Sequence, residues 1–523
     1  MPAKHMVAAV RERLATEPER IALRGRCDRT WRELSRGEVD RTVRAAAAGL
    51  IELGVAEKAR VGIIGANRPE WTLADLTIQS VRAVPVPIYP TLTVAQAAYM
   101  VRDAEVDLLF VDGGRSLHTA REIASAHRPV KVICFDESAA LNPAASEASF
   151  SALVERGRPS PRSAEVEERL ERVTPEDLLT LIYTSGTTGE PKGVMLTHEG
   201  IHFSAHSVSY SERSTESDVA LCFLPFNHVF GQMHIMNATI LSSGCLELLP
   251  SFDMDRVLEV MQSGRLTKFF AVPTVYMRLL TLGDLEKRLG RLRYCFSAAA
   301  SMPVEIVRQW KERTGISIAE GYGMTEAMPV SYNHYHRHVV GSVGQPVHGV
   351  EVQIRDKFGK PEEQGHEGEI CVRGRIVMKG YLNDLEGTRS ASWDGGWYRS
   401  GDVGLFDADG YLYIIDRLKD MIITGGENVY SREVEEVLYT SQAVQECAVI
   451  GLPDKEWGER VTAVIVPKPG KKIVPQDLKA LVKARLSAFK VPKEFFVVDE
   501  MPKNPAGKIL KRELKEKFVG GKQ

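Results

Sequence analysis

The chain has 523 residues, with 67 basic against 69 acidic side chains, a net charge of -2 and 44% hydrophobic content. That length allows about three core-sized units, and the apolar fraction with ordinary Gly and Pro content excludes disorder and collagen-like repetition. A near-neutral balance gives no broad basic field, so small-molecule chemistry is expected rather than binding to nucleic acid.

The N-terminal stretch MPAKHMVAAVRERLATEPER interrupts its apolar residues with charge before a signal-peptide core could form. From Val39 to Leu53 the spacing predicts a helix, ended by Gly54, and RVGIIGAN then reads as a short buried strand. The runs VRAVPVPIYP, VDLLFVD and VKVICFD predict further parallel strands covered by helices on both faces. Asn142 to Thr174, rich in Ala, Ser, Glu and Arg, reads as a surface connection without apolar periodicity. A second α/β block follows through LLTLIYT, ALCFLPF, CLELLP, KFFAVP and RYCFSAA. Beyond about Gly341, short strands and an Asp-Gly turn at 409 and 410 predict an antiparallel, barrel-like part. The polar DRLKD stretch leads into a compact α+β module. Its elements are a helix at SREVEEVLY with Ser431 as N-cap, strands ECAVIGL and RVTAVIVP, a helix from about Pro475 to Ala488, and strand EFFVVD.

The seven cysteines, Cys27, Cys134, Cys222, Cys245, Cys295, Cys371 and Cys447, form no CxxC pair, which favours reduced thiols and a cytoplasmic protein. No apolar run approaches the roughly 18 residues of a membrane span. Peripheral membrane contact stays open.

The most informative segment is YTSGTTGEPKG at 183–193, between the apolar runs LLTLI and VML. Thr184, Ser185, Gly186, Thr187, Thr188 and Gly189 offer hydroxyls and close backbone N–H groups, and Lys192 adds a point charge. Polyphosphate is the natural ligand of such a loop. It is not a Walker A loop, because Pro191 precedes the lysine and Gly193 follows it.

With LPFNHVFG at 224–231, GYGMTE at 321–326, YRSGD at 398–402, DRLKD at 416–420, GGEN at 425–428 and PKNPAGK at 502–508, this loop resembles the ordered motifs of the adenylate-forming superfamily. That superfamily includes acyl-CoA synthetases, luciferases and the adenylation domains of peptide synthetases. The resemblance implies a large domain at 1–418, of two doubly wound α/β subdomains plus the antiparallel part. A small mobile α+β lid at 419–523 would carry the catalytic lysine. It also implies ATP, Mg²⁺ and coenzyme A as reactants or cofactors, and a carboxylic acid as substrate.

Transferred to this sequence, the resemblance has Tyr322 stack on adenine, beside Gly321, Gly323, Met324, Ala299 and Ala300. Thr325 contacts the α-phosphate and Glu326 ligates Mg²⁺. Asp402 accepts the ribose hydroxyls with Arg417 beside it, and Lys508 bridges the substrate carboxylate and α-phosphate. His228, Phe230, Ala298 and Gly323 fall at the acyl pocket, Lys419 at the hinge, and Gly425, Gly426 and Glu427 on the coenzyme A side. NRPEWTLADL, PVPIYPTLT and FKVPKEF look most like medium- and long-chain fatty acyl-CoA synthetases. Aryl or β-amino acids, and transfer to a separate acyl carrier protein, stay open.

Two histidine clusters set a competing metal reading. His198, Glu199 and His202 match H-E-x-x-H, with His206 on the same helical face, which would make the protein a zinc hydrolase. Thr197 as N-cap and the helix-weakening Gly200 speak for an ordinary helix start. His334, His336 and His338 alternate and could gather three imidazoles on one strand face, but a polar loop is the preferred reading.

Overall fold

The computed structural model describes residues 5–27, 30–184, 190–504 and 507–519. The N-terminal sheet orders its strands Val84–Ile88, Arg60–Ile64, Leu108–Val111, Lys131–Cys134 and Glu147–Ser149, all parallel. Leu108–Val111 is buried along its whole length, as expected of a strand covered on both faces. The last strand is a correction to the sequence reading. Residues 142–174 are not a surface connection: they hold Glu147–Ser149 and the helices Phe150–Gly157 and Ser163–Glu171. Those helices bury Phe150, Leu153, Val154, Val166 and Leu170 in the main core.

Helix Phe150–Gly157 packs closely on helix Arg36–Glu52, and Gly157 permits it. A Cβ at Gly157 would lie 1.7 Å from the Ala45 carbonyl oxygen and 2.8 Å from the Gly49 nitrogen. Gly157→Ala is therefore expected to destabilise the fold by about 3 kcal/mol or more, the upper range of core overpacking. A denaturant midpoint lowered at unchanged slope is the measurement.

The second sheet has nine strands. Ile318–Met324, Tyr294–Ser297, Lys268–Ala271, Val219–Cys222, Cys245–Leu248 and Ile21–Cys27 run parallel in that spatial order. The N-terminal hairpin Ile21–Cys27 and Thr30–Ser35 closes one edge, so the start of the chain belongs to this sheet rather than to the one that follows it in sequence. The carboxyl ends of its strands lead into LPFNHVFG, SAAAS and GYGMTE, the usual location of a ligand crevice in open α/β sheets.

Antiparallel strands Leu178–Thr184, Lys192–Thr197 and Gly380–Tyr381 form a small separate sheet. The antiparallel part beyond Gly341 follows an open path, Glu351–Arg355, Gly368–Arg373, Trp397–Phe406 and Ser392–Trp393, with Leu412–Arg417 also on Trp397–Phe406. Asp409 and Gly410 lie in the turn of that last hairpin, as the sequence predicts.

After the turn at 418–420, strands Ile422–Thr424, Glu427–Val429, Val444–Asp454, Gly458–Pro467 and Glu494–Val497 build the C-terminal sheet. One face packs Val434, Leu438, Val461 and Leu478, the other Ile450, Val464, Met501 and Leu514. Ser431 is not the N-cap of helix Ser431–Tyr439. Tyr430 takes that position without a side-chain bond, and Ser431 Oγ instead donates to Asp416 Oδ2 at 2.8 Å. The next helix ends at Lys483, short of Ala488.

Six described cysteines are free and buried. No described helix is long and apolar enough to cross a membrane.

Candidate active site

One cavity between the second sheet and the C-terminal unit is lined by Ala299, Ala300, Gly321, Tyr322, Gly323 and Met324. Asp402, Arg417 and Lys508 line it as well. Strand register brings two of these together: Asp402 on Trp397–Phe406 lies opposite Arg417 on Leu412–Arg417. Arg417 Nε stands 3.3 Å from Asp402 Oδ1, while the Tyr322 hydroxyl donates to Oδ2 at 2.6 Å. Burial and the Asp402 charge hold that hydroxyl well above its usual pKa, so it stays a donor at neutral pH.

Asn504 holds the Lys508 backbone from both sides. Lys508 N donates to Asn504 Oδ1 at 2.9 Å, and Asn504 N to the Lys508 carbonyl at 2.9 Å. Burial, then the Arg417 charge, lowers the Lys508 pKa to about 7, against a smaller opposing pull from Asp402. His228 lies within electrostatic reach of Lys508, and burial chiefly lowers its pKa to about 4, leaving a neutral imidazole. Its Nδ1 accepts the Phe230 N–H at 3.2 Å, which assigns the tautomer. Phe230 opens a π-helical segment, Phe230–Asn237, which the sequence reading did not anticipate; such segments recur at functional sites. Its ring contacts Phe296 at 5.8 Å between centroids, and Ala298 follows that strand half-buried.

Thr325 and Glu326 form the two-residue tip between paired Met324 and Ala327. Glu326 Oε1 accepts from the Tyr381 hydroxyl at 3.0 Å, and burial raises its carboxyl pKa. The Lys192 ammonium lies 5.0 Å above the centre of the same Tyr381 ring and 2.8 Å from Asp384 Oδ2. Thr184 pairs with Lys192 across the strand ends, so the two arms of the predicted phosphate loop are in register. Ser185, Gly186, Thr187, Thr188 and Gly189 lie outside the described residues.

Other expected residues stand apart from the cavity. Gly425, Gly426 and Glu427 turn the hairpin between Ile422–Thr424 and Glu427–Val429 and do not line it. Lys419 is exposed in the turn after Arg417. A second cavity, beside Leu53, Lys131 and Glu147, holds none of the predicted site residues.

The zinc reading fails on geometry. Thr197 does cap helix His198–Ser211, accepting from Gly200 N, but His198 is buried against the His5 ring. His202 and His206 meet each other at 3.2 Å between Nε2 atoms, and no described group of three His, Cys, Asp or Glu could hold a metal. His334, His336 and His338 occupy a loop.

Sequence reasoning missed Tyr381, Asp384 and Glu320. Asp384 and Tyr381 hold Lys192 from about two hundred residues away, with no local signal. Ser297 lines the cavity with a buried Oγ that has no hydrogen-bond partner among the described residues. Glu320, buried before Gly321, has its carboxyl pKa lifted to about 8, chiefly by burial.

Residues 10–382 match the pattern of AMP-binding enzymes, and 433–508 that of the AMP-binding enzyme C-terminal domain. The chain is similar to a feruloyl-CoA synthase from an Amycolatopsis species, 34% identical over 489 residues covering 93% of this chain and 94% of that one. A long-chain-fatty-acid–CoA ligase of Bacillus subtilis (strain 168) is 40% identical over 353 residues, covering 66% of this chain and 63% of its own. Among solved structures, the anthranilate CoA ligase AuaEII in complex with anthranoyl-AMP aligns with a TM-score of 0.88 and 27% identity, over 98% of this chain and 96% of that one.

Proposed function

From the premise that this chain belongs to the AMP-binding enzyme family, we propose that it joins a carboxylic acid to the thiol of coenzyme A through an acyl-adenylate. The convergence of Tyr322, Asp402, Arg417 and Lys508 on one cavity carries the reading. A carboxylate resists a thiol because its oxygen is a poor leaving group. In the first step a carboxylate oxygen attacks the α-phosphorus of ATP, and the bond to the β-phosphate oxygen breaks, releasing pyrophosphate. In the second, sulfur attacks the acyl carbon, the bond to AMP breaks, and the thiol proton passes to solvent.

Each residue has a task suited to its surroundings. The Tyr322 face stacks on adenine, and Asp402 holds the ribose hydroxyls. Lys508 bridges the carboxylate and α-phosphate, and Thr325 donates to the α-phosphate. Thr184, Lys192 and the loop between them hold the outer phosphates. Preorganised donors of this kind act on charge that develops in the transition state. Glu326 fits a Mg²⁺ ligand: a half-buried carboxylate, steadied at Oε1 by the Tyr381 hydroxyl, offers the hard oxygen that this ion takes beside phosphates. When bound, the ion neutralises phosphate charge.

We assign residues 1–418 to the large domain and 419–523 to a lid that turns about Lys419. The exposure of Leu418 and Lys419 in the turn after Arg417 supports this, as does the separation of the Gly425–Glu427 hairpin from the cavity that Lys508 lines. For the acid, we propose a medium- or long-chain fatty acid. His228 is neutral, Phe230 and Phe296 pack against each other as a buried apolar pair, and the relative from B. subtilis supports the choice. An aryl acid is the second reading, favoured by the feruloyl-CoA synthase.

The test is ATP–pyrophosphate exchange with fatty and aryl acids in magnesium, followed by thioester formation with coenzyme A or acyl carrier protein. Exchange strongest with fatty acids, then thioester on coenzyme A, is expected. Release of no pyrophosphate with any acid overturns the function, and preference for aryl acids overturns only the substrate.

A further inference from the structure

Helix Val304–Thr314 begins after the cavity-lining segment Ala299–Ser301, yet its N-cap, Pro303, offers no side-chain acceptor. The first N–H groups of a helix need partners from elsewhere. Val304 N finds one across the cleft, donating to Glu436 Oε2 at 3.2 Å on helix Ser431–Tyr439 of the C-terminal unit. Arg432, one turn earlier on that helix, faces Glu436 Oε1 at 3.8 Å and donates from its guanidinium to the Ile414 carbonyl at 2.6 Å.

We infer that Glu436 is a positioning residue: it caps helix Val304–Thr314 in trans and so holds the C-terminal unit where Lys508 enters the nucleotide cavity. The inference rests on the two-step reading above. The contact joins the two units at the wall of the nucleotide cavity, which Pro303 and Glu436 line together with Ala299 and Ala300, so lid orientation and that wall are set together. A lid rotated for thioester formation forfeits the bond, which therefore favours adenylation alone. An acidic acceptor at a helix start also meets the positive end of the helix dipole.

Three variants test this: Glu436→Ala, Glu436→Gln, and Val304→Pro. The last removes the donor at the first helical position, where proline is well tolerated. Losing one cap that couples two units is expected to lower kcat for acid-dependent ATP–pyrophosphate exchange by roughly 5- to 30-fold. KM for ATP should change little, and thioester formation from preformed acyl-adenylate should be unaffected or faster. Val304→Pro should match Glu436→Ala, and the double variant should be no worse than either. Glu436→Gln, which keeps an acceptor oxygen, should recover most of the activity.

Equal loss in both half-reactions, unchanged exchange in Val304→Pro, or additive effects in the double variant would each overturn the role. Exchange by the unaltered enzyme is measured alongside. Its absence would sink the two-step reading, whereas its presence with unaffected variants would sink only the cap.

Discussion

Lys508→Ala is expected to lower acid-dependent ATP–pyrophosphate exchange by about 10² to 10³, the usual consequence of deleting one preorganised transition-state donor. Thioester formation from preformed acyl-adenylate should stay within a few-fold, because no phosphoryl bond is made in that step. Equal loss in both steps contradicts the assigned role. The surroundings of Lys508 add a proton-linked signature. With its pKa lowered to about 7, the ammonium is about half deprotonated at neutral pH before ligands bind. A carboxylate and an α-phosphate placed beside it favour the charged form and raise that pKa. Binding therefore takes up protons above pH 7 and ceases to do so well below it, where Lys508 is already charged. Calorimetry at pH 8 in buffers of different ionisation heat should show this uptake in the parent enzyme, and should lose most of it in Lys508→Ala.

What could be read from the sequence follows from how local each signal is. Alternating helices and short buried strands left their pattern in runs such as VDLLFVD and YCFS, since strands covered on both faces must be apolar throughout. Residues 142–174 were misread although Phe150, Leu153, Val154 and Gly157 carry helical spacing, because each helix is short and its outer face is dense in Ala, Glu and Arg. Ser431 has the residue type of an N-cap, but its hydroxyl bonds to Asp416, a partner from the preceding sheet. The cavity shows the same division. Tyr322, Asp402 and Arg417 stand in recognisable motifs, whereas their alignment depends on strand register set by the sheet around them. Asp384 beside Lys192 and Glu436 under Val304 are long-range pairings between segments that carry no mark of each other.

That register makes Asp402 the residue whose loss should be felt by several neighbours. Asp402→Ala removes the acceptor assigned to the ribose hydroxyls, frees the Tyr322 hydroxyl, and strips Arg417 of its counter-ion. Hydrogen bonds to a charged group contribute about 1.5–3 kcal/mol each, so loss of two ribose contacts corresponds to about 10² to 10⁴ in kcat/KM for ATP. KM for the acid should move far less, since the ribose lies away from the acyl chain. A second effect separates this role from a general loosening of the sheet. Asp402 is among the charges that support protonation of Lys508, while Arg417 opposes it. Without Asp402, the Lys508 pKa is lowered further, and the high-pH limb of the adenylation profile shifts toward acid. Asp402→Asn keeps an acceptor but not the charge, so it should recover part of the ATP affinity while retaining the acid shift. A fall in kcat/KM for the acid equal to that for ATP, with no movement of the high-pH limb, would show that Asp402 serves only to hold the strands together.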